Sequence, residues 1–274
     1  MRTPVRQRMT RVGIGTMLAI AGSIATMAPL MAQEESAAVT DTKPTILFVH
    51  GAWADGSGWS KQIAPLQDEG YHVIAAQLPL TDAAQDVATV RAILEAQTGP
   101  TLIVAHSFGG WVTSALGPDA PNLEGIVYVA AFGPDEGESP AALLGSGPQP
   151  PGLAALRPSA DGMLWLDPDG FLTGFAAGVD PAEARVLAAT QKPVAAATFG
   201  STEPLGPPAW KGVPTWYLVA TQDQIIPPPA QELFAQRMGA TTSSVDSGHL
   251  PFISHPDVVT DLVREAAASI ESGS

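Results

Sequence analysis

Residues 101–116 read TLIVAHSFGGWVTSAL. Thr101 to His106 is an apolar, β-branched run of the kind that forms a strand buried on both faces. Phe108 to Leu116 then carries helical spacing, and only Ser107 stands between the two. A serine placed between strand and helix without a linker sits on a sharp turn that lifts its hydroxyl above the sheet edge. The small neighbours Ala105 and Gly109 leave room for such a turn. This is the arrangement of the G-x-S-x-G nucleophile elbow, with alanine in the first glycine's place. A serine that merely caps the helix is the ordinary alternative, so the rest of the chain has to decide.

Working outward, TILFVH (45–50), His72–Leu78, Leu123–Phe132, Pro214–Ala220 and Thr241–Val245 read as strands. Trp59–Glu69 reads as a helix closed by Gly70, and Asp82–Gln97, Pro229–Met238 and Pro256–Ile270 as further helices. Strands alternating with helices of this length make βαβ units, so the predicted fold is a mainly parallel, doubly wound α/β sheet. Residues 133–212 break the rhythm, with twelve prolines and Trp165, Phe171, Phe175 and Trp210 scattered among short helical pieces. That segment is predicted to be an inserted helical cap (lid) over the carboxyl ends of the strands, where open α/β sheets bind ligands. Residues 44–132 and 213–274 then form the catalytic core.

The first 32 residues are set apart. Arg2, Arg6, Arg8 and Arg11 precede an uncharged apolar stretch from Val12 that ends in Pro29-Leu30-Met31-Ala32. A basic start, an apolar middle and small residues at the end predict an export signal cleaved after Ala32, favoured over an uncleaved anchor because Gly13, Gly15, Gly22 and Pro29 make a poor permanent helix. Residues 33–43 read as a flexible lead-in. The expected location is periplasmic or secreted. Without the leader, 9 cations face 27 acids, a net charge of −18 against −14 for the whole chain. Such a surface argues against nucleic acid as a partner and against stable membrane association once the signal is removed. With no cysteine there is no disulfide, thiolate nucleophile or Cys-ligated metal.

A serine nucleophile needs a base, and the base an orienting carboxylate. His249, in SGHLPF after the last strand, is the candidate base. His50, His72, His106 and His255 are placed less well. His106 adjoins the serine but points to the opposite strand face. Asp223 follows the penultimate strand in ATQDQIIPP and is favoured over Asp246, which would have to fold back. The first strand leaves through Gly51, so that the Ala52 N–H can face the serine. The Phe108 N–H, at the start of the helix, is the second candidate oxyanion donor.

These residues carry a resemblance to the α/β-hydrolase superfamily over essentially all of 44–272. FVHGAW (48–53) with Trp59, AHSFGG (105–110), ATQDQIIPP (220–228) and SGHLPFISHP (247–256) resemble the small esterases grouped with plant methylesterases and hydroxynitrile lyases. The resemblance implies Ser107, Asp223 and His249 as a triad, Ala52 and Phe108 as oxyanion donors, and no metal or organic cofactor. The lyases carry lysine after the catalytic histidine and threonine near the oxyanion position. Leu250 and Ala52 stand there instead, which favours an esterase. Trp53, Trp165, Phe171, Phe175 and Leu250, with Leu143 and Leu144, are the expected apolar lining for a small-molecule ester. A lactonase, amidase or perhydrolase would use the same triad, and a slow ligand-binding protein could retain it.

Overall fold

The computed structural model describes residues 43–145, 147, 149–201 and 205–273. The expected export signal, and all but Lys43 of the lead-in, lie outside the described residues. Among those described, no helix is long and apolar enough to cross a membrane.

The apolar runs form the strands β1 (Thr45–Val49), β2 (Val73–Ala75), β3 (Thr101–His106) and β4 (Leu123–Val129). The insertion holds β5 (Leu156–Pro158), β6 (Met163–Leu166) and β7 (Val194–Ala195), and the chain returns to the main sheet with β8 (Thr215–Ala220) and β9 (Thr241–Val245). The main sheet has the order β2-β1-β3-β4-β8-β9, with every pairing parallel. Every residue of β3 and β8 is buried, as expected of strands covered on both faces. The edge strand β9 is Thr241-Thr242-Ser243-Ser244-Val245, exposed over its first four residues. Its hydroxyl side chains keep an open edge from offering an apolar template to another chain.

Helices α1 (Ser60–Asp68), α2 (Ala83–Glu95), α3 (Phe108–Ser114) and α4 (Pro140–Gly145) come first. The short turn α5 (Pro168–Gly170), α6 (Pro181–Thr190) and α7 (Ala196–Phe199) follow in the insertion, then α8 (Pro228–Met238), α9 (Pro251–Ser254) and α10 (Pro256–Gly273). Side chains alternate along β4. A Cβ on Gly125 would meet Ile270 of α10 at 3.1 Å, whereas Tyr128, an odd number of residues on, bonds Ser114 of α3 at 2.9 Å. Helices α10 and α3 therefore cover opposite faces, and the sheet is doubly wound.

Three expectations are corrected. The second strand stops at Ala75 rather than Leu78 because the Leu78 N–H is taken by the His50 ring at 3.0 Å instead of a ladder partner. The fourth stops at Val129, since Ala130 has φ +43° and the Phe132 N–H turns to the Ser107 carbonyl at 3.0 Å. The insertion is mixed, not purely helical. It contains the antiparallel sheet β5-β6-β7, whose β5–β6 hairpin closes through Ser159-Ala160-Asp161-Gly162. Gly162 there has φ +82°, and the Ser159 N–H donates to Met163 at 2.8 Å. An Asp-Gly pair is a hairpin signal, masked in the sequence by the surrounding prolines.

Candidate active site

Ser107 takes φ +53°, ψ −126°, a strained conformation for a residue with a side chain. Close packing holds it there. A Cβ on Gly109 would stand 2.6 Å from the Val49 carbonyl oxygen, and one on Gly110 would stand 2.3 Å from that of Phe132. Only glycines let α3 begin this close to β1 and the end of β4. The elbow is thereby aimed at the carboxyl ends of β8 and β9, where the other two sequence candidates arrive.

His249 places Nε2 2.9 Å from Ser107 Oγ and Nδ1 2.7 Å from Asp223 Oδ2. The ring is fully buried, and Ser107 is 4% exposed. Asp223 also accepts from the Ile225 and Ile226 N–H groups at 2.7 and 3.0 Å and from Gln231 Nε2 at 2.8 Å. Four donors converge on one buried carboxylate, which satisfies it and fixes its direction. The rival Asp246 is exposed and accepts from Thr221 Oγ1 at 3.3 Å. It is not on His249.

Ala52 and Phe108 flank the serine. Gly51 lies so close that a Cβ there would be 2.6 Å from Ser107 Cβ. Among the described residues, neither the Ala52 nor the Phe108 N–H has an acceptor. Two free main-chain donors beside a serine–histidine pair can receive an oxyanion.

Trp53, Phe171, Phe175 and Leu250 line one pocket of about 30 Å3, together with Leu187, Phe252 and Ile253. Phe175 sets its ring edge-on to His249 at 5.2 Å. Leu143 and Leu144 line a second, tighter void with Phe108, Trp111, Phe132 and Phe199. Trp165 is not part of the lining. It alternates outward on β6 and is 39% exposed, while Leu166 beside it is buried.

Sequence reasoning missed several neighbours. Gln231 on α8 orients Asp223, and no local pattern announces it. His106, set aside above as a base, holds the base's main chain instead: its Nε2 donates to the His249 carbonyl at 2.8 Å. Phe199 packs tilted against Trp53 at 5.4 Å and edge-on to Phe108 at 5.5 Å; it comes from the proline-rich stretch that offers no register. Among the described residues, no group of three or more His, Asp or Glu side chains is placed to hold a metal ion.

Over residues 46–262 the sequence matches the family described as the alpha/beta hydrolase family. It is 28% identical over 249 residues to "Probable hydrolase R7" of Phoma sp., covering 82% of this chain and 99% of that protein. Similar solved structures include a pyrethroid hydrolase from Sphingobium faniae JZ-2, with 21% identity, a TM-score of 0.68, and coverage of 82% of this chain and 97% of that one. A methylesterase from Arabidopsis has 19% identity, a TM-score of 0.67 and coverage of 82% and 99%. At such identities the structural likeness is one of fold.

Proposed function

The chain belongs to the α/β-hydrolase family, and from that premise we propose that it is a serine hydrolase of small, largely apolar carboxylic esters. The observation that carries the proposal is the continuous path from Ser107 Oγ through both ring nitrogens of His249 to Asp223 Oδ2, with steps of 2.9 and 2.7 Å.

In this reading His249 Nε2 takes the hydroxyl proton as Ser107 Oγ bonds to the ester carbonyl carbon. Negative charge collects on the former carbonyl oxygen, where the Ala52 and Phe108 N–H groups receive it. Each such donor is typically worth about 3 kcal/mol of barrier. Asp223 holds the Nδ1–H tautomer and stabilises the imidazolium. His249 then gives its proton to the departing alkoxide, leaving Ser107 acylated. Water, deprotonated by His249, attacks the acyl group, and the acid leaves as the proton returns to Ser107. No cofactor enters these steps.

The pocket's phenylalanine and leucine walls favour apolar esters. Ser107 and His249 are buried, and the pocket beside Phe175 has room for only a water or two, so in this reading the insertion acts as a lid that moves to admit substrate. Secretion through the first 32 residues belongs to the same proposal, and a mature protein beginning at Gln33 is its signature.

A fluorophosphonate probe tests the core of the proposal. It is expected to label Ser107 in the folded wild type and not in Ser107→Ala. A panel of p-nitrophenyl esters and lactones on both proteins then separates esterase from lactonase. Failure to label, or activity surviving in Ser107→Ala, would refute the assignment.

A further inference from the structure

His50 is fully enclosed at the end of β1, and its ring bridges two main chains. The Leu78 N–H donates to Nε2 at 3.0 Å, and Nδ1 lies 2.8 Å from the Gly51 carbonyl oxygen. An N–H can only donate, so Nε2 is unprotonated and the proton sits on Nδ1, donating to Gly51. The ring is therefore neutral. Burial favours that state, pulling its pKa down to about 4.

The Gly51 carbonyl and the Ala52 N–H belong to one planar trans peptide and point in opposite directions. Holding the oxygen fixes where the N–H points. Gly51 Cα lies against Ser107, and a Cβ on it would stand 3.1 Å from Ser107 Oγ. His50 thus grips the back of the peptide whose front carries the proposed oxyanion donor.

The other end of this chain of bonds lies in the insertion. Lys192, between α6 and β7, donates from Nζ to the Leu78 carbonyl. Two residues on, Leu80 (φ +60°) is held from both sides. Its carbonyl accepts from the Ala195 N–H at 2.8 Å, and its N–H donates to Asp86 Oδ1 at 2.8 Å. The 78–80 loop is consequently a rigid connector rather than a free turn.

We infer that His50 is a positioning residue that, together with Lys192 of the insertion, fixes the Gly51–Ala52 peptide through the two successive peptides that meet at Leu78 and so couples the seating of the lid to the readiness of the oxyanion site. This rests on the ester-hydrolase reading for its kinetic consequences, though not for its geometry. A lid that lifts Lys192 off Leu78 loosens His50 and with it the Ala52 N–H. A seated lid, with Lys192 on Leu78, restores these bonds and aligns the donor.

The test compares wild type with His50→Asn, His50→Leu, Lys192→Met and the His50→Leu/Lys192→Met double variant. Rates are taken on p-nitrophenyl acetate per active site titrated, so that misfolded protein does not count. His50→Leu is expected to lose on the order of 100-fold in kcat, as when an oxyanion donor is removed, with KM changed by less than about threefold. His50→Asn retains an N–H where Nδ1 stood and is expected to recover about tenfold of that loss. Lys192→Met is expected to lose about fivefold alone and nothing further in the double variant, because the two residues act in series. Losses that multiply, or an undiminished kcat in His50→Leu, overturn the inference. Should His50→Leu not fold, His50→Asn and Lys192→Met still decide it. Imidazole 15N shifts of the wild type provide a readout independent of turnover. They are expected to show the Nδ1–H form of His50 at pH 7, and an Nε2–H form overturns the relay. A wild type that neither turns over esters nor takes a fluorophosphonate defeats the ester-hydrolase reading instead, and the 15N signature then decides the relay alone.

Discussion

His106 donates from Nε2 to the main-chain carbonyl of His249 at 2.8 Å, with the two rings 4.6 Å apart. The strand that leads into Ser107 therefore also holds the loop that brings the histidine to it. The donor role puts the proton on Nε2, and Nδ1 has no partner among the described residues. Burial, with His249 beside it, keeps the ring's pKa well below the ordinary histidine value. His106→Phe preserves the aromatic packing against Trp59 and Phe252 but leaves the His249 carbonyl without its donor. It is expected to cost about 1–3 kcal/mol of stability and roughly tenfold in kcat. Urea unfolding and steady-state kinetics measure the two effects. Wild-type values in both would show that the bond does not hold the loop.

Gln231 makes three buried hydrogen bonds with one amide. Nε2 donates to Asp223 Oδ2 and to the Ile226 carbonyl at 2.8 and 2.7 Å, and Oε1 accepts from the Ala220 N–H at 3.0 Å. It joins the end of β8 to the turn that carries the carboxylate. Gln231→Leu has similar bulk but leaves the Ile226 carbonyl and the Ala220 N–H unsatisfied and takes one of four donors from Asp223. A stability loss of about 2–4 kcal/mol is expected, read as a lowered Tm. The kcat of the folded enzyme is expected to fall as Asp223 gains freedom. A variant with unaltered Tm would show that water replaces the amide without cost.

The legible part of this chain was its local part. Apolar runs marked β1, β3, β4 and β8, and the absence of a linker around Ser107 marked the elbow. Of the candidates named from strand ends, His249 lies within hydrogen-bond reach of both Ser107 and Asp223. What stayed hidden depends on contacts distant in sequence. Nothing near Leu78 reveals that His50, 28 residues earlier, takes its N–H and ends β2. Gln231 looks like any polar residue on a helix. An aromatic in an insertion reads as lining, and only the register of β6 shows that Trp165 faces outward.

Asp86 gives the stability a defined pH signature. It is buried on α2, with Oδ1 accepting the Leu80 N–H and Oδ2 unpartnered among the described residues. Burial pushes its carboxyl up to about 6, against the opposing Leu80 bond and Lys192, with Asp82 adding to the rise. A raised acid binds its proton more tightly folded than unfolded, so between about pH 4 and 6 this group makes stability fall as pH rises. His50, lowered to about 4, has the opposite effect over the same range. It is charged only in the unfolded chain there, so stability rises with pH. The two slopes partly cancel in the wild type. Asp86→Asn keeps the acceptor for Leu80 and removes one of them. Its stability relative to wild type is expected to grow from pH 4 to 6 and level off above, by about 1–2 kcal/mol. Denaturant titrations at several pH values follow this difference, and a pH-independent difference would show that Asp86 does not titrate in this window.

Phe199 stands between Trp53 of one void and Phe108 of the other. Its ring packs against Trp53 at 5.4 Å and Phe108 at 5.5 Å. Trp53 lines the pocket that holds Phe171, Phe175 and Leu250, and Phe108 lines the void beside Leu143 and Leu144. Trp53 is itself tied down by its Nε1–H to the Leu164 carbonyl at 3.0 Å, so it cannot simply swing aside. Phe199, on the short helix α7, is the more easily emptied side of this partition. Phe199→Ala is expected to join these two spaces and open them toward Ser107, at a cost of about 3 kcal/mol in stability. An acyl group with a phenyl ring then finds room that the wild type fills with its own side chain. The ratio of kcat/KM for p-nitrophenyl benzoate to that for p-nitrophenyl acetate is expected to rise roughly tenfold, since one well-fitted apolar contact changes discrimination by about that much. Using the ratio removes any common loss from destabilisation. An unchanged ratio would mean that the void beside Leu143 does not open onto the serine.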